Sequence, residues 1–183
     1  MIKAVIFDWG GVIAPNNGGG WVPAYAQLPD LDIEEALPIW RQAFAGLNVN
    51  AITEQDFWTR TEMLIGKKLP EHKSEIWKNG LAANIWSEML EYVEGLQRRG
   101  YKTPLLSNTI AAMFPDEHLE RHYKYFNPVV LSHEVGVAKP DPKMYTLLLD
   151  QLGLAPEECI FVDDLPGNVE AADVLGIHAV LAD

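Results

Sequence analysis

Several short apolar runs of this chain end in, or lead into, polar groups that could do chemistry together. The run "VIFD" delivers Asp8 and is followed at once by Trp9, Gly10 and Gly11; "LLSN" ends in Ser107 and Asn108. "PVVLS" leads, a few residues on, to "GVAKPDP" with Lys139, and "CIFVDD" ends in Asp163 and Asp164. Each group alone has an ordinary explanation. A strand-end aspartate or serine is commonly a turn or cap residue, a lysine before proline is commonly a surface charge, and paired acids commonly cap a following helix. Their convergence carries more weight, because ligands of an open parallel sheet bind in the crevice beyond the carboxyl ends of its strands. Two or three carboxylates in one crevice are poorly tolerated unless a cation sits among them. Hard oxygen ligands of this kind suit magnesium, which is typically held by one or two protein carboxylates plus substrate phosphate. Lys139 adds a positive charge, and Ser107 with neighbouring backbone N–H groups adds donors. Such a set describes a phosphoryl-transfer site with a carboxylate nucleophile.

The elements that must position these groups can be read from the pattern. Five apolar runs, at 3–8, 102–108, 128–132, 159–164 and 178–182, are continuous rather than alternating, as in strands covered on both faces. Helical segments separate the later runs. Residues 87–99 place Met89, Leu90, Val93 and Leu96 on one stripe before Gly100. "DPKMYTLLLDQLG" opens with Asp141 as N-cap and Pro142 at the first helical position and stops at Gly153, and "LPGNVEAADVLG" stops at Gly176. Strand–helix alternation predicts a parallel α/β sheet with right-handed crossovers. Residues 15–85 contain no convincing strand. They carry helical patterns at about 33–47, 53–66 and 70–83, the second opening at Thr53 with Asp56 in near capping-box spacing. "NNGGG" at 16–20 reads as a flexible way in; it is not a P-loop, because no Gly-Lys-Ser/Thr follows. The expected organisation is an α/β core of 1–14 and 86–183, interrupted after its first strand by a helical insertion of 15–85. Trp21, Trp40, Trp58 and Trp77 lie in that insertion and are read as its core rather than as a substrate box.

Composition narrows the partners. The net charge of −12 argues against a nucleic acid or a membrane surface, either of which would want a basic face. It also means that a phosphorylated substrate needs local cations. The single cysteine, Cys159, allows no intramolecular disulfide and sits in an apolar run, where a buried structural thiol is expected. No segment approaches eighteen consecutive apolar residues, and Asp8 interrupts the first apolar run before a signal-peptide core is complete. The expected location is cytoplasmic. Oligomeric state is not readable.

"VIFDWGGVI", "LLSNT", "GVAKPDPKMY" and "FVDDLPGNVEAADVLGI" resemble, in order and spacing, the four motifs of the haloacid dehalogenase-like hydrolase superfamily, closest to its phosphatase branch with a Phe-Asp-x-Gly-Gly/Asn-Val first motif. The resemblance implies a three-layer Rossmann-like parallel-sheet core, with the insertion as an all-helical cap. Carried over by position, it implies Asp8 as the nucleophile that forms an aspartyl-phosphate and as a magnesium ligand, with the Gly10 backbone carbonyl as a second ligand. Ser107, with Asn108 beside it, would bind the transferring phosphoryl group, and Lys139 would neutralise charge between nucleophile and phosphate. Asp164 would be the direct acidic ligand, with Asp163 binding directly or through water.

One departure matters. Most phosphatases of the superfamily carry a second aspartate two residues after the nucleophile, which protonates the leaving group and later activates water. Here that position is Gly10. A backbone carbonyl survives the change, but the general acid/base does not, and such catalysis is typically worth about 10²–10⁴-fold. His133, Glu134 and Asn16 are candidate stand-ins. Asn168 is read as a local cap or packing residue, or as a group that orients the acidic loop, and His178 as structural. The expected activity is a magnesium-dependent phosphatase of a small phosphorylated metabolite, such as a sugar phosphate or nucleotide. A 2-haloacid dehalogenase fits less well, because the family's dehalogenases replace the acidic pair that this chain keeps. A catalytically silent protein that binds a phosphorylated ligand is the third reading.

Overall fold

The computed structural model describes residues 1–15, 22–77, 85–113 and 121–182. Five strands, β1 (Ala4–Phe7), β2 (Leu105–Ser107), β3 (Val129–Leu131), β4 (Cys159–Asp163) and β5 (His178–Leu181), form one sheet in the order β3-β2-β1-β4-β5. Every pairing is parallel, with Ala4 opposite Cys159, Phe7 opposite Leu105 and Leu105 opposite Val129. The continuous apolar runs have the expected cause. In β1, Ala4 and Ile6 join one buried cluster with Met144, Leu148 and Phe161, while Val5 and Phe7 join another with Val93, Leu96 and Leu105. Side chains alternate across a strand, so a strand with a core on each face can spare no polar position. The result is three layers, helix–sheet–helix.

Helices Ser87–Arg98, Pro142–Leu152 and Pro166–Val174 flank the sheet. Asp141 caps the second by accepting from the Lys143 N–H at 2.9 Å, and Gly153 ends it with φ +62°. At its outer edge β5 meets a side chain rather than a strand: the Ala179 N–H donates to the Asp173 carboxylate at 3.1 Å.

Between β1 and the helix Ser87–Arg98 every named element of the described residues is a helix or a 3₁₀ turn. The expected helices at 33–47 and 53–66 form as Ile33–Phe44 and Glu54–Ile65. The second has a complete capping box, Thr53 Oγ1 accepting from the Asp56 N–H while the Asp56 carboxylate accepts from the Thr53 N–H. A short helix, Val22–Gln27, had no signal in the sequence. The expected helix at 70–83 is replaced, where it is described, by 3₁₀ turns over Glu71–Trp77. Pro70 opens that segment with an i to i+3 bond to the Lys73 N–H, and Lys73 is drawn to the Glu62 carboxylate at 3.2 Å. Residues 78–84, and with them the end of that expectation, lie outside the described residues, as do Trp21 and Asn16.

Trp40, Trp58 and Trp77 are buried together with Tyr25 and Phe57. Glu54 joins the group by accepting from both the Trp58 and Trp77 indole N–H groups at 2.8 Å. The helical segment is continuous with the sheet's core, since Val12, Ile13 and Phe7 belong to the same apolar cluster as Tyr25, Trp40 and Phe57. No helix among the described residues is long and apolar enough to cross a membrane.

Candidate active site

The C-terminal edge of the sheet collects the polar groups. Asp8 extends β1 by one residue, its N–H still bonded to the Val162 carbonyl at 3.0 Å. The chain then turns tightly: Ile13 and Ala14 N–H groups both return to the Trp9 carbonyl, and the Gly11 N–H reaches the Ala14 carbonyl at 2.7 Å. The two glycines differ. Gly11 sits at φ +72°, and a Cβ there would lie only 2.6 Å from Asp164 Cβ and closer still to its carboxyl. Gly10 has no left-handed φ and nothing within 4 Å of where its Cβ would be. Thus the turn and the close approach of Asp164 both rest on Gly11, and Gly10 is unconstrained by space.

Lys139 is delivered by the loop after β3, and Asn108 fixes it there. Asn108 Nδ2 donates to the Lys139 carbonyl and Oδ1 accepts from the Lys139 N–H, both at 2.9 Å. The Asn108 side chain is therefore engaged with the Lys139 backbone. The buried Lys139 ammonium donates to Asp8 Oδ1 at 2.8 Å and to Asp163 Oδ2 at 2.6 Å. Ser107 closes β2, buried, on the strand beside β1.

The adjacent aspartates are held differently. Asp163 is wholly buried and its oxygens accept from the Leu165 N–H, from Asn168 Nδ2 and from Lys139. Asp164 is half-buried against Gly11. Asp8, Asp163 and Asp164 each place one carboxylate oxygen within 4.8 Å of the others'. Two buried carboxylates on one ammonium, with the half-buried Asp164 close to both, leave an excess of negative charge. Burial pushes the Asp8 carboxyl up to about 6; Lys139 opposes that rise and the Asp163 charge adds to it. A divalent cation on hard oxygen donors would relieve this, so the donor set fits magnesium. Burial, followed by the charges of Asp163 and Asp8, raises the nearby Tyr145 phenol far above its ordinary value and keeps it a neutral donor.

Of the candidate acid/base substitutes, His133 follows β3 with Nδ1 2.6 Å from Thr109 Oγ1, and burial lowers its pKa. Glu134 is exposed. Beside them the buried Ser132 hydroxyl donates to the Asn48 carbonyl at 2.6 Å and accepts from the Thr109 N–H at 2.9 Å. This ties the 3₁₀ turn at Leu47–Val49 of the helical segment, flanked by left-handed Gly46 and Asn50, to the segments that follow β2 and β3. Cys159 is buried, its thiol pushed up to about 11 chiefly by burial. His178 is exposed on the edge strand. Sequence reasoning missed the engagement of Asn108 with Lys139, the Thr109–His133 contact and the Tyr145 hydroxyl bond to the Asn168 carbonyl at 2.9 Å. Only Tyr145 and Asn168 left a trace, as polar positions on otherwise apolar helix faces.

A family model for haloacid dehalogenase-like hydrolases matches residues 2–176. D-ribitol-5-phosphate phosphatase of Bacteroides thetaiotaomicron is 29% identical over 188 residues, covering 97% of this chain and 90% of its own. Acyl-CoA dehydrogenase family member 10 of Mus musculus is 28% identical over 208 residues; that match takes in 99% of this chain but spans only 18% of the mouse protein. Among solved structures, a haloacid dehalogenase-family enzyme from Bacteroides thetaiotaomicron in complex with magnesium and inorganic phosphate aligns with a TM-score of 0.77 and 26% identity, covering 99% of this chain and 94% of that one.

Proposed function

The chain belongs to the haloacid dehalogenase-like hydrolase family, and on that premise we propose that it is a magnesium-dependent phosphatase of a small phosphorylated metabolite, working through an aspartyl-phosphate on Asp8. The observation that carries this is the buried Asp8–Lys139–Asp163 cluster with Asp164 beside it, at the carboxyl edge of a parallel sheet. The name of the Bacteroides thetaiotaomicron phosphatase supports the reaction class, and the magnesium and phosphate in the solved relative support the ligands.

Asp8 is the nucleophile. Lys139 holds one of its oxygens and so fixes the carboxylate's orientation. A carboxylate oxygen forms a bond to phosphorus while the bond from phosphorus to the ester oxygen breaks, and the leaving oxygen takes the electron pair. Water then cleaves the acyl phosphate, releasing inorganic phosphate and restoring Asp8. Lys139, whose ammonium has a third N–H, and Ser107 bind the phosphoryl oxygens; Asn108 acts on Lys139 through its backbone. Asp8, the Gly10 carbonyl and Asp164 would hold magnesium, with Asp163 committed first to Lys139. Bound there, the ion supplies positive charge against the phosphoryl group. No side chain at position 10 can protonate the leaving group. Residues 15–85 act as the cap and set specificity, over a core of 1–14 and 86–183. A cytoplasmic location belongs to the same reading.

The test is turnover of a phosphate-ester panel with and without magnesium, by wild type and Asp8→Asn. Activity that needs magnesium and vanishes in Asp8→Asn is expected. Activity indifferent to chelation or to Asp8→Asn would remove the mechanism, and phosphate binding without turnover would favour the silent binding protein.

A further inference from the structure

We infer that Asn168 and Tyr145 are positioning residues that hold the Lys139 ammonium in place before a substrate arrives. Four buried residues, Asp163, Asn168, Tyr145 and Phe161, close a ring with Lys139, Asn168 taking part through both its side chain and its backbone carbonyl. Lys139 Nζ donates to Asp163 Oδ2 at 2.6 Å. Asn168 Nδ2 donates to both Asp163 oxygens, at 2.9 and 3.1 Å. The Asn168 backbone carbonyl accepts from the Tyr145 hydroxyl at 2.9 Å. The Tyr145 ring meets Phe161 edge to face, with centroids 5.5 Å apart and planes at 89°. Phe161 in turn lies under the Lys139 ammonium, 5.4 Å from Nζ to the ring centroid. These groups come from the loop after β3, from β4 and from two helices, so the ring fastens four separate pieces of chain around one charge.

The physical need is plain. Lysine is a long, flexible side chain whose ammonium has no fixed geometry of its own. A buried ion pair is stable only when the remaining oxygens of its carboxylate are hydrogen-bonded. Asn168 supplies those bonds to Asp163, and in doing so it stops the carboxylate from turning away from Lys139. The Tyr145 hydroxyl fastens the helix turn that carries Asn168. Two ammonium protons are taken by Asp163 and Asp8, so the direction of the third is set by the ring. Partners of this indirect kind typically change activity about 10–100-fold when removed.

The kinetic arm of the test rests on the phosphatase reading; the spectroscopic arm does not. In full-length protein labelled with nitrogen-15 on lysine, the Lys139 ammonium, assigned through its own side-chain correlations, should give a sharp cross-peak protected from exchange. Asn168→Ala should broaden or abolish that peak while the backbone spectrum stays folded. The same variant should lower kcat on an aryl phosphate about 10–100-fold, with KM changed less than about threefold. Tyr145→Phe keeps the ring packing and should shift the peak and lower kcat by a smaller factor. Should Asn168→Ala fail to fold, Tyr145→Phe decides alone. An unchanged Lys139 peak in the folded variants overturns the inference whatever the kinetics. An altered peak with unchanged kcat, in a wild type that turns over, overturns it as well. A wild type without turnover would count against the phosphatase reading alone, leaving the spectroscopic result to judge Asn168 and Tyr145.

Discussion

Replacing Gly11 by alanine should damage magnesium binding, and replacing Gly10 by alanine should not. At φ +72° Gly11 occupies the left-handed region, which costs an L-residue about 1–2 kcal/mol. The added methyl would also sit 2.6 Å from Asp164 Cβ and nearer still to the carboxyl. A contact to Cβ cannot be relieved by turning χ1, so the backbone that carries Asp164 has to move. Backbone strain alone should lower the melting temperature by about 2–8 °C, at roughly 2–4 °C per kcal/mol for a chain of this size. Loss of the Asp164 carboxylate from its place should weaken magnesium about 10–100-fold, the range seen when the support of a metal ligand is removed. Gly10→Ala meets no neighbour within 4 Å and no left-handed φ, so stability should stay within about 0.5 kcal/mol of wild type. Thermal unfolding of the metal-free proteins and calorimetric titration with magnesium measure both effects. Unaltered magnesium affinity in Gly11→Ala, or a larger loss in Gly10→Ala, would refute the assignment of Asp164 and the steric reasoning together.

Three further outcomes are expected. An acid raised from 3.8 to about 6 on folding binds its proton more tightly in the folded state. Without metal, its share of stability is therefore largest below pH 4 and falls by roughly 3 kcal/mol as pH rises through 6. Magnesium favours ionised Asp8, so the rise in melting temperature on adding magnesium should be larger at pH 7 than at pH 5; an equal or smaller rise at pH 7 counts against the buried-charge account. Asp164→Ala should weaken magnesium more than Asp163→Ala, whereas Asp163→Ala should cost more stability, because it leaves Lys139 buried with half its ion pairs; calorimetry and urea unfolding of both variants check the order. With no acid at position 10, single-turnover kcat/KM across matched aryl and alkyl phosphates should fall steeply as leaving-group pKa rises. A flat dependence would mean that another group donates the proton. Gly10→Asp, for which the backbone and the space are both suitable, should flatten the slope.

The sheet was legible because its strands are covered on both faces, which leaves unbroken runs such as "AVIF" and "CIFV" that periodicity can find. Helix starts at Thr53 and Asp141 were legible because caps act within three residues. The failures lie where the deciding interaction is distant in sequence. The segment at 71–77 has helical spacing, but Pro70 and the pull of Glu62 on Lys73 tighten it into 3₁₀ turns. The glycines following Asp8 look alike in sequence, and only the position of Asp164 tells which of them must lack a side chain. Asp163 and Asp164 likewise read as a pair, while Asn168 and Lys139 draw the first inward. The side chain of Asn108 gave no sign that its partner is the backbone of Lys139, thirty-one residues away.

The contact between Asp173 and the Ala179 N–H bears on how the protein behaves when crowded. β5 lies at the edge of the sheet and exposes Val180 and Leu181, which by themselves would invite another chain to add a strand. A carboxylate already bonded to one of the edge amides removes a site where such a strand would dock and sets a negative charge in its path. Templated aggregation is thereby discouraged by a single residue of the preceding helix. Asp173→Ala is the change that would make this otherwise acidic protein stick to itself.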